Sequence, residues 1–184
     1  MVGFLDRLNT MVVNTISPGR VAKVRFNRNE GIRLEWGSRD PLNLSAEELS
    51  GEVTRAVVAA LTGAEQGTSA ARRAVRAESG RGPEGREREP RVRERRRMVH
   101  ARVQDIQVRA HAAQKAVTVD WRGRTDVEVR ISRAALARLD AETLRDAVNQ
   151  ALESARGQHG LALAAIFSHV YKFDQFGQKW RQRR

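Results

Sequence analysis

The sequence predicts an α+β fold made of two repeated helix–β-hairpin–helix units packing as a pseudo-dimer, with a further helix at the C-terminal end. Three observations carry this expectation. Val117, Val119 and Trp121 alternate with polar residues, Arg122-Gly123-Arg124 makes a turn, and Val127, Val129 and Ile131 alternate again, the pattern of a half-buried hairpin. Leu144, Val148 and Leu152 then recur every four residues, on one helix face. The same pattern stands 95 positions earlier without a gap. Val24 and Phe26 match Val119 and Trp121, and Ile32, Leu34 and Trp36 match Val127, Val129 and Ile131. Leu49, Val53 and Val57 match Leu144, Val148 and Leu152, while Phe4, Leu8 and Met11 fall on Val99, Val103 and Ile106. A period this long suits a duplicated small domain rather than a solenoid.

In chain order, Met1–Ile16 reads as a helix with Phe4, Leu8, Met11 and Val12 on one side, stopped by Ser17-Pro18-Gly19. Val21–Phe26 and Ile32–Trp36 read as strands joined by a turn at Asn27–Gly31. Ser45-Ala46-Glu47-Glu48 is a capping box, in which the serine hydroxyl accepts from the amide three residues on and the glutamate reaches back. The helix it opens is expected to reach about Leu61 and to end at Gly63. Residues 62–90 are rich in Gly, Glu and Arg and poor in large apolar side chains, so a mobile linker is expected there, with Ala70–Ala77 able to extend the preceding helix. From Arg91 a helical stripe runs through Val92, Val99, Val103, Ile106, Ala110 and Ala113. Asp140 stands at the N-cap of the helix after the second hairpin, with Glu142 in its first turn. Gly157–Gly160 reads as a break, and Leu161–Phe176 as a further amphipathic helix. The expected organisation is therefore a first unit at 1–61, a linker at 62–90, a second unit at 91–156 and a C-terminal segment at 157–184.

Units of roughly 60 residues bury little surface alone, which favours packing of the two copies on each other or on another chain. Cysteine is absent, excluding a disulfide framework and thiolate metal sites and fitting a reducing cytoplasm. No apolar run approaches the ~20 residues of a membrane span. Asp6, Arg7 and Asn9 interrupt the start, so it does not read as a secretory signal.

The strongest global signal is a net charge of +12, carried mostly by arginine. Such a balance favours polyanions, nucleic acid first. Between Arg72 and Arg102 twelve arginines face five glutamates, a surplus of seven in about a sixth of the chain. Some pairs, such as Glu87–Arg91 and Glu89–Arg93, have the i,i+4 spacing of a solvated helix face. Arg95-Arg96-Arg97 exceeds what those pairs compensate. The residues expected to meet phosphate are Arg72, Arg73, Arg76, Arg91, Arg93, Arg95, Arg96, Arg97, Arg102 and Arg109, helped by Lys179, Arg181, Arg183 and Arg184. A second function class stays open. Phe167, Tyr171, Phe173, Phe176 and Trp180 lie beside the basic tail and suit a docking segment of an adaptor, or a lid over a core face.

Catalytic patterns are missing. His100, His111, His159 and His169 have no metal-ligand spacing, and no nucleophile elbow, P-loop or dinucleotide-binding glycine pattern occurs. The expectation is a protein without enzymatic activity, cofactor or metal.

The second unit, VTVDWRGRTDVEVRISRAALARLDAETLRDAVNQALESAR, resembles the bacterial YbaB/EbfC family of nucleoid-associated proteins. Val117, Val119 and Gly123 match the family's first strand run, and Val127, Val129 and Ile131 its second. Leu139, Glu142, Leu144, Asp146, Val148 and Ala151 match its helix. The likeness covers about 91–156, and reaches Met1–Leu61 only through the internal repeat. It implies a tweezer-shaped homodimer in which sheets pair in the body and helices project as arms. It further implies DNA binding with little sequence preference, in the cytoplasm on the nucleoid. Trp121 stands where the family usually has glycine. The duplication would let one chain form the pseudo-dimer by itself, and the tail Leu161–Arg184 has no counterpart in the pattern.

Overall fold

Each half of the chain opens with a helix, continues as three antiparallel strands and ends in a long helix. The structure, a computed structural model, describes residues 3–78 and 90–181, with the side chains of Arg91 and 172–181 left outside the description. The first half comprises α1 (Phe4–Asn9), β1 (Val12–Ile16), β2 (Ala22–Asn27), β3 (Gly31–Trp36) and α2 (Ala46–Glu78), with a 3-10 turn at Pro41–Asn43. The second comprises α3 (Pro90–Gln104), β4 (Gln107–Ala112), β5 (Val117–Arg122), β6 (Asp126–Ile131), the short α4 (Arg133–Arg138) and α5 (Ala141–Arg181). The sheets are ordered β1-β2-β3 and β4-β5-β6. Bounds repeat across the halves: β2 and β5, and β3 and β6, each lie 95 positions apart, as do the starts of α2 and α5.

The hairpins form as their alternation requires. Val24, Ile32 and Leu34 are buried in the first sheet, and Val117, Val119, Val127 and Val129 in the second. Gly123, at φ +53°, takes the left-handed conformation of the second turn. Both long helices start as their caps dictate. The Ser45 hydroxyl accepts from Glu48 N–H at 3.2 Å while the Glu48 carboxylate accepts from Ser45 N–H at 2.9 Å. Asp140 accepts from Thr143 N–H at 2.7 Å.

Four expectations need correction. Met1–Ile16 is not one helix, because α1 ends at Asn9 and Val12–Ile16 is a strand. Its β-branched residues Val12, Val13, Thr15 and Ile16 favour the pleated surface over a helix. The stripe from Arg91 likewise ends at Gln104, so Ala110 lies in β4 and Ala113 in the turn after it, at φ +48°. Gly63 does not end α2, which continues to Glu78, so residues 62–78 are helix rather than linker. Pro90 opens α3, at the first helical turn where its missing N–H costs nothing, and 79–89 fall outside the described residues. Nor is there a break at Gly157–Gly160, since α5 runs through both.

The glycines of the two helices have different reasons. A Cβ at Gly63 would stand 2.9 Å from Val13 Cγ1, so this glycine lets α2 lie close on β1. At Gly157 and Gly160 nothing lies within 4 Å of an added Cβ. Alanine at either is expected to raise stability by about 0.5–1 kcal/mol, and alanine at Gly63 to lower it, in urea melts.

One core spans both halves. From α2 it takes Leu49, Val53 and Val57, from α5 Leu144, Val148 and Leu152, and from the sheets their inner faces. Besides its own sheet, α2 packs on β6 of the other half, and α5 packs on β3. The two sheets share no backbone ladder. Instead, side chains of each helix cap the edge strand opposite. Asn149 accepts from Leu34 N–H at 2.7 Å and donates to Leu34 O at 3.1 Å. Thr54, 95 positions before Asn149, accepts from Val129 N–H at 2.9 Å and donates to Val129 O at 3.3 Å. Ser50 accepts from Ile131 N–H at 2.9 Å.

Glu52, buried in α2, fixes the loop before β2 by accepting from Gly19 N–H at 2.7 Å and pairing with Arg55. Burial alone would raise its pKa, but the Ser17 hydroxyl, Arg55 and the Gly19 amide together hold it below the usual carboxylate range. A depressed folded pKa stabilises above the unfolded value and loses that stabilisation as pH falls through the folded one. Glu52→Gln is therefore expected to melt earlier than wild type at neutral pH. The gap should close as pH drops below the ordinary 4.5.

Candidate nucleic-acid interface

Beyond the shared core, each long helix continues with a short helix against it. On the first side α1 packs on α2, burying Leu8. On the second, Val99, Val103 and Ile106, from α3 and the residues just after it, pack against Val170, Leu163 and Ile166 of α5. The apolar stripe of α3 is thus turned to α5. A helix has only one such face, so most of its arginines are left on the others.

Arg93, Arg96, Arg97 and Arg102 are exposed on α3, and Arg95 is half-buried. Arg93 and Arg97 are one turn apart on the same side. At the end of α2, Arg72, Arg73 and Arg76 are exposed. The Arg72 guanidinium lies over the Phe4 ring, 5.7 Å from its centroid. Among the described residues, Arg73, Arg97 and Arg102 are exposed and make no ion pair. Arg91 belongs to α3, and Lys179 and Arg181 to the last turns of α5, with side chains outside the description. Arg183 and Arg184 lie outside the described residues, as do the side chains of Phe173, Phe176 and Trp180.

Arg109 does not belong to this set. It lies in β4, not on the basic helix, and its Nε is 2.5 Å from Asp120 Oδ1. Asp120 is buried and also faces Arg130 at 3.3 Å, so Arg109 neutralises a carboxylate that the sheet register places opposite it. Their pairing could be found only once the strand at Gln107–Ala112 was seen, because the helical stripe hides it.

A cleft of about 500 Å³ opens between the two sides. Phe4, Leu8 and Leu61 line it from one, Leu163 and Phe167 from the other. Arg28, Arg72 and Arg124 also border it, and Arg124 is 3.0 Å from Glu65. Phe167 and Tyr171 stack with centroids 6.2 Å apart and stand 45% and 51% exposed.

At the floor of the cleft His159, one of the histidines without ligand spacing, is buried. It stacks on Trp121 at 4.6 Å, and its Nε2 lies 2.6 Å from Gly123 O. Trp121 in turn donates to Arg124 O at 3.2 Å. The two rings clamp the β5–β6 turn, which accounts locally for a tryptophan at that position. The signal was present in the α5 spacing: His159 follows Leu152 and Ala155 at intervals of three and four, on the buried face.

Among the described residues no helix is long and apolar enough to cross a membrane, and no cluster of His, Asp or Glu is placed to hold a metal ion. The chain matches no family model, no curated protein and no solved structure.

Proposed function

We propose that this chain is a YbaB/EbfC-like nucleic-acid-binding protein in which two copies of the unit stand in for the two subunits of a dimer. It binds DNA through phosphates, without reading sequence, in the cytoplasm on the nucleoid. The role is one of binding, without catalysis, cofactor or metal. The observation that carries the reading is the set of arginines left on the outer faces of α3 and the end of α2. Guanidinium groups on a rigid helix, spaced a turn apart, can follow a phosphate backbone and release its counterions. The 95-residue recurrence of strands and helices, and the matched pairs Asn149–Leu34 and Thr54–Val129, support the duplication. A mobility-shift titration with duplexes of unrelated sequence, at two salt concentrations, tests the proposal. Equal affinities that weaken with salt are expected, and no binding at low salt overturns it.

One observation favours a second reading. The exposed stacked pair Phe167–Tyr171 beside the cleft suits a protein-docking hot spot of an adaptor. Truncation at 161 would strip the cover from Val99, Val103 and Ile106, so serine at Phe167 and Tyr171 is the cleaner test. A DNA binder keeps its affinity in that variant, and an adaptor loses its partner.

A further inference from the structure

The open sides of the two sheets are β1 and its twin β4, since Asn149 caps β3 and Ser50 and Thr54 cap β6. Ser17 N–H donates to Ala22 O at 2.8 Å, so Thr15 and Val13 are the residues of β1 that bond to β2. Val12, Asn14 and Ile16 therefore turn their N–H and C=O groups to the open side. In the twin, Gly123 N–H donates to Ile106 O at 2.9 Å, which leaves Gln107, Arg109 and His111 turned outward.

At these three matched places the twins differ in kind. The β4 edge carries an amide, a guanidinium and an imidazole, with Arg109 held on Asp120 and His111 Nδ1 3.0 Å from Thr118 Oγ1. The β1 edge carries Val12 and Ile16, 42% and 47% exposed, on either side of Asn14. Charge is the usual guard of an edge strand against pairing, and β1 has none along its length.

We propose that the open edge of β1 pairs antiparallel with β1 of a second copy of this chain, about a two-fold axis at Asn14. In that register the strand complements itself. Val12 meets Ile16 of the partner subunit, apolar on apolar, and the two Asn14 amides meet with one donating and the other accepting. The backbone donors and acceptors of Val12, Asn14 and Ile16 are satisfied reciprocally. The net charge of +12 opposes self-association in general, but β1 itself carries no charge and salt weakens the repulsion across this seam. The nearest cations on that face, Lys23 and Arg25, sit one strand inward, opposite Ile16 and Asn14. Across the seam β2 and its counterpart stand three strand spacings apart, roughly 14 Å. That exceeds the Debye length of about 10 Å at 0.1 M salt.

Light scattering of the full chain over rising concentration tests this, with an expected mass of twice 20.7 kDa. Asn14→Pro removes an outward N–H and the side-chain amide at the two-fold axis, and leaves the ladder to β2 intact. The triple variant Val12→Gln, Asn14→Arg, Ile16→His gives β1 the outward set that β4 already carries in the same fold. Both are expected to weaken dimerisation at least about 100-fold with an unchanged far-UV spectrum. In the wild-type dimer the amides of Val12, Asn14 and Ile16 should resist hydrogen exchange, and in the variants those that remain should not, position 14 of the proline variant having none. Those of Val13 and Thr15 should stay protected in all. A wild type that remains monomeric, as it would if another protein's strand were the occupant, overturns the proposal. So does a dimer that survives the triple substitution, or one whose outward amides exchange freely.

Discussion

Asn149→Leu and Thr54→Val are each expected to lower the unfolding free energy by about 2–4 kcal/mol in urea denaturation, the largest stability effects expected of single polar substitutions here. Leu34 is fully buried, so water does not readily replace a lost partner. Leucine has the same number and branching of side-chain heavy atoms as asparagine but offers neither donor nor acceptor. It would strand the N–H and C=O of Leu34, both of which Asn149 now satisfies. Each stranded group costs about 1–3 kcal/mol. Thr54→Val keeps the shape and removes the hydroxyl that serves both groups of Val129. Total stability of a domain this size is of order 5–15 kcal/mol, so losing both locks removes a large share. The two halves meet through these locks, a few further side-chain bonds such as Ser50 to Ile131 and Arg124 to Glu65, and one apolar core rather than through a shared sheet. The double variant is therefore expected to loosen the halves together, and its transition should remain single. A biphasic melt would mean that each half folds independently.

What the sequence made legible was periodicity. Strands with one face on the core keep period two, so both hairpins and their buried residues could be read directly, and the offset tied the halves together. Tertiary uses of single residues were not legible. Gly63 looks the same as a helix stop until Val13 is found against it. Phe4, Leu8 and Met11 have helical spacing in sequence although the helix ends at Asn9, because Met11 reaches the cleft from a loop. Thr54 and Asn149 read as ordinary polar helix residues. Their matched positions, one offset apart, were a clue that needed the opposing edge strands to have meaning. The exposed arginines of α3 and α2 could be anticipated from charge, whereas Arg109 was misplaced because its partner lies across a strand pair that local spacing does not reveal. Helix ends are governed by packing beyond the last cap, which explains why α2 and α5 both extend past glycines that local preference would stop at.

If the chain binds DNA as proposed, removing Arg73, Arg97 and Arg102 together is expected to weaken that binding at 0.1 M salt by roughly 10²- to 10³-fold, alike for every duplex sequence. Counterion release supplies about 0.9 log units of affinity per phosphate contact per decade of salt below 1 M. Three contacts then amount to about 2.7 log units at 0.1 M and almost none near 1 M. The same variant should flatten the slope of log K against log salt by about 2.7. That second readout separates phosphate contact from damage to the fold, since an unfolded fraction shifts the line without changing its slope. These three side chains are chosen because they are exposed and, among the described residues, hold no ion pair. Their truncation leaves no buried partner behind, so melting temperature should change little. Arg109→Ala makes the contrasting control. It leaves the buried Asp120 carboxylate with Arg130 as its remaining ion-pair partner and Glu128 opposite it, so stability should fall while the salt slope stays that of wild type. If Arg109→Ala flattened the slope and the triple variant did not, the phosphate path would lie across the second sheet and not along α3.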